Sequence, residues 1–514
     1  MRLRRAVLLC LLSLTGVLIL MAPALATGAE ARPPTLVQIF GPSAAFAGES
    51  VLIRVQVPAT AAVRKAVVSA SRDGRTFAVV GSLPLRRGVA LGSLPVGDQI
   101  GRLWLRVSVK GQGSRSLRIA VQNPYRPAAP DDATLPEAGI VVTRELFGNH
   151  PIDGPPQWAG TVRLWDTATS WNAIEKAPGR YDWRALDAAV AQAEANNQSV
   201  LLVLGGTPSW AAVDQAPGAE FAGPGSSMPM RDAADFERYV GTVVDRYGGR
   251  IAAYQIWNEA NIEQFWRGTP ELMADLTARA YDAIKQRNSQ AIVVAASTGS
   301  RWIKGFERFY PEYLKALSAY GWPFDAYGVH LYPMASGTPR DRAYLLGMFR
   351  NALQVADAPP KPIWETEINY GVTNPGLGDA ARAIPTEQIP GYVARTYLDS
   401  LRFGIDRSYW YAWTPDYRLL GIQMWHGLTA EVAYGQISEW VVGTRFSGCQ
   451  TIEALVTCNF DRAGQPFQIA YTDDDSNLSL PMPRGLTTAT VLGGTPVPIA
   501  GTVAVGPTPV RLSA

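Results

Sequence analysis

Apolar and polar positions alternate through most of residues 35–121. The segments with this period of two are 50–57, 65–71, 76–80, 101–109 and 116–121, and turn formers such as Asp73-Gly74 separate them. A period of two is typical of strands with one buried face, and no segment here has the 3.6-residue period of a long helix. The pattern predicts a small immunoglobulin-like β-sandwich over residues 34–122.

Continuous apolar runs replace this alternation after a proline-rich stretch, 123–136, which is predicted to be a linker. Strands that are covered by helices have such runs. One run stands at 139–142, and seven more end near Leu164, Leu204, Trp257, Ala296, Val329, Trp364 and Tyr411. Eight strands alternating with helices predict an α/β fold, a (β/α)8 TIM barrel over residues 137–442. A doubly wound sheet is disfavoured because no glycine-rich phosphate loop follows the first strand.

Helix signals lie between these runs. Thr269-Pro270-Glu271 supplies a cap, a first-turn proline and a first-turn acid before a stripe of apolar residues at helical spacing. A closing helix is predicted at 431–442. Beyond it, strand-like segments at 487–492, 495–499 and 502–505 predict a small C-terminal β domain over residues 443–514.

The N-terminus has the pattern of a secretory signal. Three arginines precede the uncharged apolar run 6–21, and Ala24-Leu25-Ala26 resembles a cleavage site. Residues 1–26 are therefore predicted to be a signal peptide of a bacterial protein that is secreted or held in the cell envelope. The alternative is an uncleaved anchor, because about 21 residues just span a bilayer. No stable membrane insertion is expected if the signal is cleaved.

Removal of the signal would leave two cysteines, Cys449 and Cys458. An even pair in an exported chain is a disulfide candidate, and eight intervening residues allow a hairpin or loop to bring the two together. The alternative is two buried thiols.

Charge and motifs exclude several classes of function. The 47 basic residues against 44 acidic ones give a net charge of +3, and three of the basic residues are the leader arginines. No nucleic-acid partner is expected from this balance. The three histidines lie in no metal-ligand spacing, and serine-elbow and P-loop motifs are absent. No metal and no cofactor are expected, and the protein is expected to be a monomer.

In a (β/α)8 barrel the functional side chains follow the strands, at the carboxyl-terminal face. Glu259 follows the fourth run and Glu367 ends the seventh. Two carboxyl groups facing one pocket are what glycosidic bond cleavage requires, one as acid and one as an ionised group. Aromatic residues, on which sugar rings stack, are expected at the same rim: Trp165, Trp171, Trp210, Trp257, Trp266, Tyr332 and Trp413.

These motifs resemble the clan A glycoside hydrolases. Ile256-Trp-Asn258-Glu259-Ala-Asn261, followed by Trp364-Glu-Thr366-Glu367, is similar to the acid/base and nucleophile signatures of that clan. Within the clan, the segments 163–166, 205–210 and 328–332 are most similar to family 39. The resemblance covers roughly residues 137–445.

The resemblance implies a retaining mechanism with Glu259 as acid/base, Glu367 as nucleophile and Asn258 as the ligand of a sugar 2-hydroxyl. Glu365 is the competing acid, expected on the same face as Glu367 but deeper in the barrel. Arg163 and Tyr332 are expected to favour the charged form of Glu367, and burial the neutral form of Glu259. The remaining predicted substrate-binding residues are Trp165, Asp166, Trp210, His330 and Trp413.

The predicted function is therefore a secreted retaining glycosidase that acts on a polysaccharide or oligosaccharide, with endo action favoured. Exo action of a xylosidase or uronidase type is an alternative, and a glycan-binding protein without turnover is another. The β-sandwich is interpreted either as a carbohydrate-binding module or as a structural brace.

Overall fold

The computed structural model describes residues 36–41, 44–46, 50–58, 63–99, 101–122, 138–154, 158–219, 222–373, 381–474 and 476–514. The predicted signal and linker lie outside these ranges. The chain divides into two compact units, Met1–Pro124 and Tyr125–Ala514. Within the ranges above, no helix is both long enough and apolar enough to cross a membrane.

The first unit is a β-sandwich. A three-stranded sheet has the order β1-β3-β6, and a five-stranded sheet has the order β2-β8-β7-β4-β5. Along β7 every second residue, from Leu103 to Val109, is buried in the core between the sheets. The strands are β1 (Gln38–Phe40), β2 (Ala44–Phe46), β3 (Ser50–Gln56), β4 (Lys65–Ser71), β5 (Ala78–Pro84), β6 (Val89–Pro95), β7 (Gly101–Val109) and β8 (Gly113–Gln122).

The second unit is built on a parallel sheet with the order β16-β15-β14-β11-β10-β20-β19-β18-β17. Two strands outside this sheet, β12 and β13, form a hairpin, and β9 joins the C-terminal sheet. The strands are β9 (Ile140–Val141), β10 (Phe147–Pro151), β11 (Thr161–Leu164), β12 (Glu175–Ala177), β13 (Arg180–Tyr181), β14 (Ser199–Leu204), β15 (Ala253–Ile256), β16 (Ile292–Val294), β17 (Thr298–Gly299), β18 (Tyr327–His330), β19 (Ile363–Ile368) and β20 (Arg407–Trp413).

The two ends of this parallel sheet meet, which closes the barrel. β16 pairs with β15, and β17 pairs with β18. The two are halves of one strand, and Val294 at the end of β16 also bridges to Ala326, next to β18. Counted this way the sheet has eight strands, and the predicted (β/α)8 barrel is confirmed.

Helices lie between the strands and cover the barrel. The predicted start of α4 is confirmed, because the Thr269 hydroxyl accepts a hydrogen bond from the N–H of Leu272 at 3.2 Å. The helices are α1 (Trp171–Ile174), α2 (Arg184–Ala195), α3 (Ala233–Tyr247), α4 (Pro270–Arg287), α5 (Ile303–Ala319), α6 (Arg340–Val355), α7 (Ile389–Arg402) and α8 (Thr429–Val441), with 3-10 turns at Arg144–Leu146 and Gly248–Arg250.

The position predicted for the first barrel strand is wrong. The run at 139–142 contains β9, which pairs antiparallel with Arg445 and Phe446 of the C-terminal sheet. The first barrel strand is β10, and it lies between β11 and β20. Its sequence, Phe-Gly-Asn-His-Pro, has too few apolar residues to stand out as a buried strand.

The C-terminal β domain is larger than the three segments that predicted it. Seven strands, including β9, form one sheet, and β24 pairs with β27. Phe446 and Val456 of this sheet share a hydrophobic core with Tyr397 of α7 and Ile437 of α8. The strands are β21 (Arg445–Ile452), β22 (Leu455–Arg462), β23 (Gln465–Thr472), β24 (Leu478–Pro481), β25 (Thr488–Val491), β26 (Val497–Pro498), β27 (Thr502–Val505) and β28 (Val510–Ser513).

Cys449 and Cys458 lie directly opposite each other on β21 and β22 and form a disulfide. We expect the unfolded, non-reduced protein to have no reactive thiol if the leader is removed, and one, that of Cys10, if it is retained. Alkylation followed by intact-mass measurement gives the number. Replacement of both residues by Ser should lower the free energy of unfolding by about 2–3 kcal/mol. Two further alkylated thiols would contradict the bridge.

Candidate active site

A buried arginine stands at the centre of the barrel interior. Val162 and Leu164, its neighbours in β11, pack in the core between the sheet and the helices. Because successive side chains of a strand point to opposite faces, Arg163 points into the barrel interior. Its side chain is completely buried, and a buried guanidinium requires acceptors for its N–H groups. It has three: Gln255 Oε1 at 3.1 Å, Glu367 Oε1 at 2.6 Å and Asn258 Oδ1 at 2.7 Å.

Both carboxyl oxygens of Glu367 accept hydrogen bonds. Arg163 donates to Oε1, and the hydroxyl of Tyr332 donates to Oε2 at 2.9 Å. Burial and the neighbouring Glu367 raise the pKa of Tyr332 well above its usual value, so the hydroxyl keeps its proton and remains a donor. Two donors that converge on one group are the surroundings of a carboxylate rather than of a carboxylic acid.

The segment after β15 turns sharply. Trp257 and Glu259 have positive φ angles of 65° and 39°, a conformation that costs roughly 1–3 kcal/mol for a residue other than glycine. Side chains from two strands support this turn. Gln255 donates to the carbonyl of Trp257 at 2.8 Å, and the backbone N–H of Glu259 donates to the Ser297 hydroxyl at 3.0 Å.

The turn directs Glu259 into the barrel interior beside a glycine. A Cβ atom on Gly299 would lie 2.6 Å from Oε1 of Glu259, so only glycine leaves room for the carboxyl group. Asn261 holds this glycine through both its N–H and its carbonyl. The position of Glu259 therefore depends on the strand halves β16 and β17, between which Ser297 lies.

Burial raises the pKa of Glu259 to about 7, although Arg301 and Arg163 oppose the shift. Glu259 is therefore largely protonated below neutral pH. Arg301 lies just after β17 and donates to the backbone carbonyls of Val372 and Thr373 at 3.2 and 3.3 Å.

His330 lies between the two acids. Its Nδ1 is 3.1 Å from Oε1 of Glu259 and 3.5 Å from Oε2 of Glu367, and its Nε2 lies 3.0 Å from the hydroxyl of Thr366. Burial lowers the pKa of His330 to about 3, so the ring is neutral at working pH. It separates the two carboxyl groups without placing a positive charge between them.

Asn258 completes this cluster. Because a guanidinium can only donate, the amide oxygen of Asn258 must face Arg163. The donor end of the amide, Nδ2, then points away from Arg163, as a hydrogen bond to a sugar hydroxyl would require. The structure thus brings together six of the predicted site residues: Arg163, Asn258, Glu259, His330, Tyr332 and Glu367.

The expectation for Glu365 is wrong. Glu365 lies opposite Val329 and Glu367 lies opposite His330, so Thr366 is an extra residue in β19, a β-bulge. The bulge breaks the alternation of side chains. Glu365 instead forms a bidentate ion pair with Arg342 of α6, at 3.0 and 2.6 Å, and is completely buried outside the barrel interior.

Asp166 belongs to a neighbouring polar cluster. Its carboxyl group contacts Nε2 of His150, at the end of β10, and accepts a hydrogen bond from the Tyr411 hydroxyl at 2.5 Å. Burial opposes ionisation, but His150 and these hydrogen bonds lower the pKa of Asp166 to about 2. Asp166 is therefore an anion, with His150 fixed beside it.

Most of the aromatic side chains predicted at the rim of the site are buried by neighbouring side chains. Trp413 is 1% exposed and its ring packs against Trp425 and His426. Trp210 packs edge-on against Trp171 and donates to the carbonyl of Glu175 at 3.1 Å, on the helix side of the barrel. No open stacking face is available on the buried indoles Trp165, Trp171, Trp257, Trp266 and Trp413.

Sequence reasoning missed the contributions of the first and fifth strands. The sequence pattern does not point to His150, because it predicts the first strand too early in the chain. The polar run after Ala296, which contains Ser297, Gly299 and Arg301, was the signal for the fifth strand end. Among the described residues, no group of three His, Cys, Asp or Glu side chains is arranged to hold a metal ion.

Comparison with known proteins agrees with this geometry. Residues 165–341 match the model of glycosyl hydrolase family 10. No curated protein matches the chain. A family 39 glycoside hydrolase from Bacteroides cellulosilyticus WH2 has the same fold, with a TM-score of 0.55, 16% identity and coverage of 93% of this chain and 100% of that chain.

Two further solved structures share the barrel. One is a monomeric β-xylosidase from Caulobacter crescentus CB15, with a TM-score of 0.53, 14% identity and coverage of 73% of this chain and 97% of that chain. The other is a glucosidase from Croceicoccus marinus, with a TM-score of 0.51, 14% identity and coverage of 71% and 82%.

The family match and the fold confirm the predicted relationship to clan A and the prediction of a glycosidase. The matching sequence model is that of family 10, whereas the motifs resemble family 39, and solved family 39 structures share the fold. A carbohydrate substrate follows from this assignment.

The raised pKa of Glu259 predicts a pH-dependent stability. The folded protein binds this proton more tightly than the unfolded chain, whose pKa is near 4.5, so stability falls as the pH rises from about 4.5 to 7. Glu259→Gln removes this loss. The difference in free energy of unfolding between this variant and wild type should change in favour of the variant by roughly 2.5 kcal/mol between pH 5 and pH 8, measured by urea denaturation.

Glu263→Gln is the matched control, because this glutamate is exposed. It should show no comparable increase between the two pH values. A difference between Glu259→Gln and wild type that stays constant with pH would contradict the assigned protonation of Glu259.

Proposed function

We propose that this protein is an exported, monomeric, retaining glycosidase that cuts within polysaccharide chains. The observation that carries the retaining mechanism is the position of both carboxyl groups against one nitrogen of His330. Retaining glycosidases have their two carboxyl groups about 5–5.5 Å apart, and inverting enzymes about 6.5–9.5 Å apart. The two facing oxygens can be no further apart than the sum of 3.1 and 3.5 Å, which favours the shorter class.

The electrostatics of the site support different roles for the two acids. Glu367, held by Arg163 and Tyr332, is the nucleophile, and Glu259, with its raised pKa, is the acid. A carboxylate oxygen of Glu367 attacks the anomeric carbon, the bond to the leaving oxygen breaks, and Glu259 gives that oxygen its proton. Glu259 then takes a proton from water, which displaces Glu367 and releases the sugar.

Conservative replacement of each acid tests these roles. Glu367→Gln should abolish turnover of every substrate, because no glycosyl-enzyme can form. Glu259→Gln should still be glycosylated by an aryl glycoside with a good leaving group, and should then hydrolyse slowly for want of a base. Added azide should accelerate that second step and give a glycosyl azide of retained configuration, identified by NMR.

Glu263→Gln serves again as the control and should retain wild-type turnover. Azide rescue of Glu367→Gln with retention of configuration, or of Glu259→Gln with inversion, would show that the two roles are exchanged. Full activity of either active-site variant would remove that residue from the mechanism.

We propose endo action because the protein is proposed to be exported and to degrade a polysaccharide. We expect purified protein to release oligosaccharides of several lengths from a susceptible polysaccharide, with a rapid fall in viscosity. Xylan and mixed-linkage glucan are suitable first probes, because the solved structures with this fold include a β-xylosidase and a glucosidase. Release of monosaccharides alone at constant viscosity would show exo action instead.

Export is supported by the disulfide. Disulfides persist in oxidising compartments and are rare in a reducing cytosol. The bridge between Cys449 and Cys458 joins adjacent strands of the C-terminal sheet and is consistent with folding after export. The leader at 1–26 provides the route.

A further inference from the structure

The net charge of the chain conceals a strong asymmetry between its two units. Residues 36–122 contain twelve Lys and Arg but only three Asp and Glu, a net charge of +9. Residues 123–514 contain 31 basic and 40 acidic residues, a net charge of −9. The near-neutral total therefore says nothing about the β-sandwich, which is strongly cationic for its size.

The cations of the sandwich have no anionic partners in the described residues. Within the part of the chain that the structure describes, sixteen ion pairs join Lys or Arg to Asp or Glu, and every one of them joins residues of the second unit. Arg72 is held by the backbone carbonyls of Gln99 and Val96, which leaves its charge uncompensated. Asp73 is used by its own turn, where it accepts hydrogen bonds from the N–H groups of Arg75 and Thr76.

Many of these cations share the outer face of the five-stranded sheet. Arg102, Trp104 and Arg106 alternate with the buried residues of β7 and therefore point outward. Arg118 of β8 lies directly opposite Trp104. Ser69 of β4 lies opposite Arg106 on the other side.

Aromatic rings hold two of the guanidinium groups on this face. Arg106 lies over the ring of Phe77, with its Cζ 3.6 Å from the ring centroid, and Arg118 lies 5.7 Å from the centroid of Trp104. Stacking fixes the plane of a guanidinium and leaves its N–H edge available for a bidentate contact with a carboxylate or sulfate.

A surface groove continues the same face. It is lined by Val63, Arg64, Lys65, Val67, Ser108 and Lys110. Val67 and Ser108 are a facing pair on β4 and β7, in line with the pair formed by Ser69 and Arg106. We call the surface formed by this groove together with Arg102, Trp104, Arg106 and Arg118 the cationic face.

We propose that the cationic face binds an anionic polysaccharide and holds it for the catalytic barrel. The choice of a polysaccharide as the ligand rests on the proposed function. A glycosidase that keeps a glycan bound nearby raises the concentration of substrate at its active site. The face offers guanidinium and ammonium groups for the acidic groups of such a polymer, and the rings of Phe77 and Trp104 hold two of the guanidinium groups in place. The net negative charge of the barrel unit gives a reason for a separate cationic surface, since its long-range field repels a polyanion.

Binding of the full chain to polygalacturonate, compared with its methyl ester, tests the proposal. We expect measurable binding of the acid form that weakens as salt is raised, and binding of the neutral ester that is at least about tenfold weaker. Arg106→Gln/Arg118→Gln and Lys65→Gln/Lys110→Gln should each weaken binding to the acid form by about tenfold.

The matched control is Arg54→Gln/Arg115→Gln, which removes the same charge away from the cationic face. Arg54 is exposed on β3, in the other sheet. Arg115 is exposed on β8 opposite Val107, whose side chain is in the core, so Arg115 lies on the other side of the sheet from the cationic face. This control should bind within about twofold of wild type, since contact with the face rather than net charge sets the affinity. An equal loss in the control, or equal binding of acid and ester, would overturn the proposal.

Two other polyanions are tested in parallel: phosphatidylglycerol vesicles and single-stranded DNA. Tighter binding of either than of polygalacturonate would overturn the assignment to a polysaccharide. Hydrolysis of an aryl glycoside is measured on the cationic-face variants and their control, and it should be unchanged in all of them. Glu367→Gln, which should not hydrolyse the glycoside, should bind polygalacturonate as wild type does. Binding without any hydrolysis by wild type would refute the proposed catalytic function and leave the cationic face intact.

Discussion

The active site depends on the burial of one positive charge. Arg163 lies inside the barrel, where its charge is tolerated because three side chains from other strands accept its hydrogen bonds. Those same contacts position the proposed nucleophile Glu367, the amide of Asn258 and, through Gln255, the turn that carries Glu259. The loss of Arg163 would therefore disturb its partners on β19, on β15 and in the turn that follows β15.

The different roles proposed for the two acids follow from the distribution of donors around them. Both oxygens of Glu367 accept hydrogen bonds from groups that keep their protons, whereas Glu259 is buried beside a neutral histidine and has a raised pKa. Proximity alone would not assign the roles, because the two groups lie against the same imidazole nitrogen. The difference arises from the side chains behind each acid.

Two local irregularities of the backbone direct the side chains of these acids. A β-bulge at Thr366 turns Glu367 into the barrel and Glu365 toward Arg342, and a left-handed turn at Trp257 and Glu259 directs the second acid inward. Both are supported by side chains from neighbouring strands, and Gly299 leaves the space that the Glu259 carboxyl group occupies. The strained turn lies where the proposed chemistry takes place, as is common in enzymes.

The sequence by itself determined the repeating strands and helices, the division into a β-sandwich, barrel and C-terminal domain, and the two candidate acids. These features are set by local periodicity and by the rule that barrel strands end at one common face. The start of α4 also followed from three adjacent residues. The short, polar strand β10 did not follow, because its apolar signal was weaker than that of the preceding β9.

Tertiary structure alone decided the direction of Glu365, the closure of the aromatic rim and the grouping of the unpaired cations. Simple alternation put Glu365 beside Glu367, and only the pairing of β19 with β18 reveals the extra residue that separates them. The sequence does not distinguish a tryptophan that binds sugar from one that packs in a core. Trp413 is buried because Trp425 and His426 pack against its ring. Net charge sums over the whole chain, whereas binding depends on which charges share a surface, and that is set by strand register.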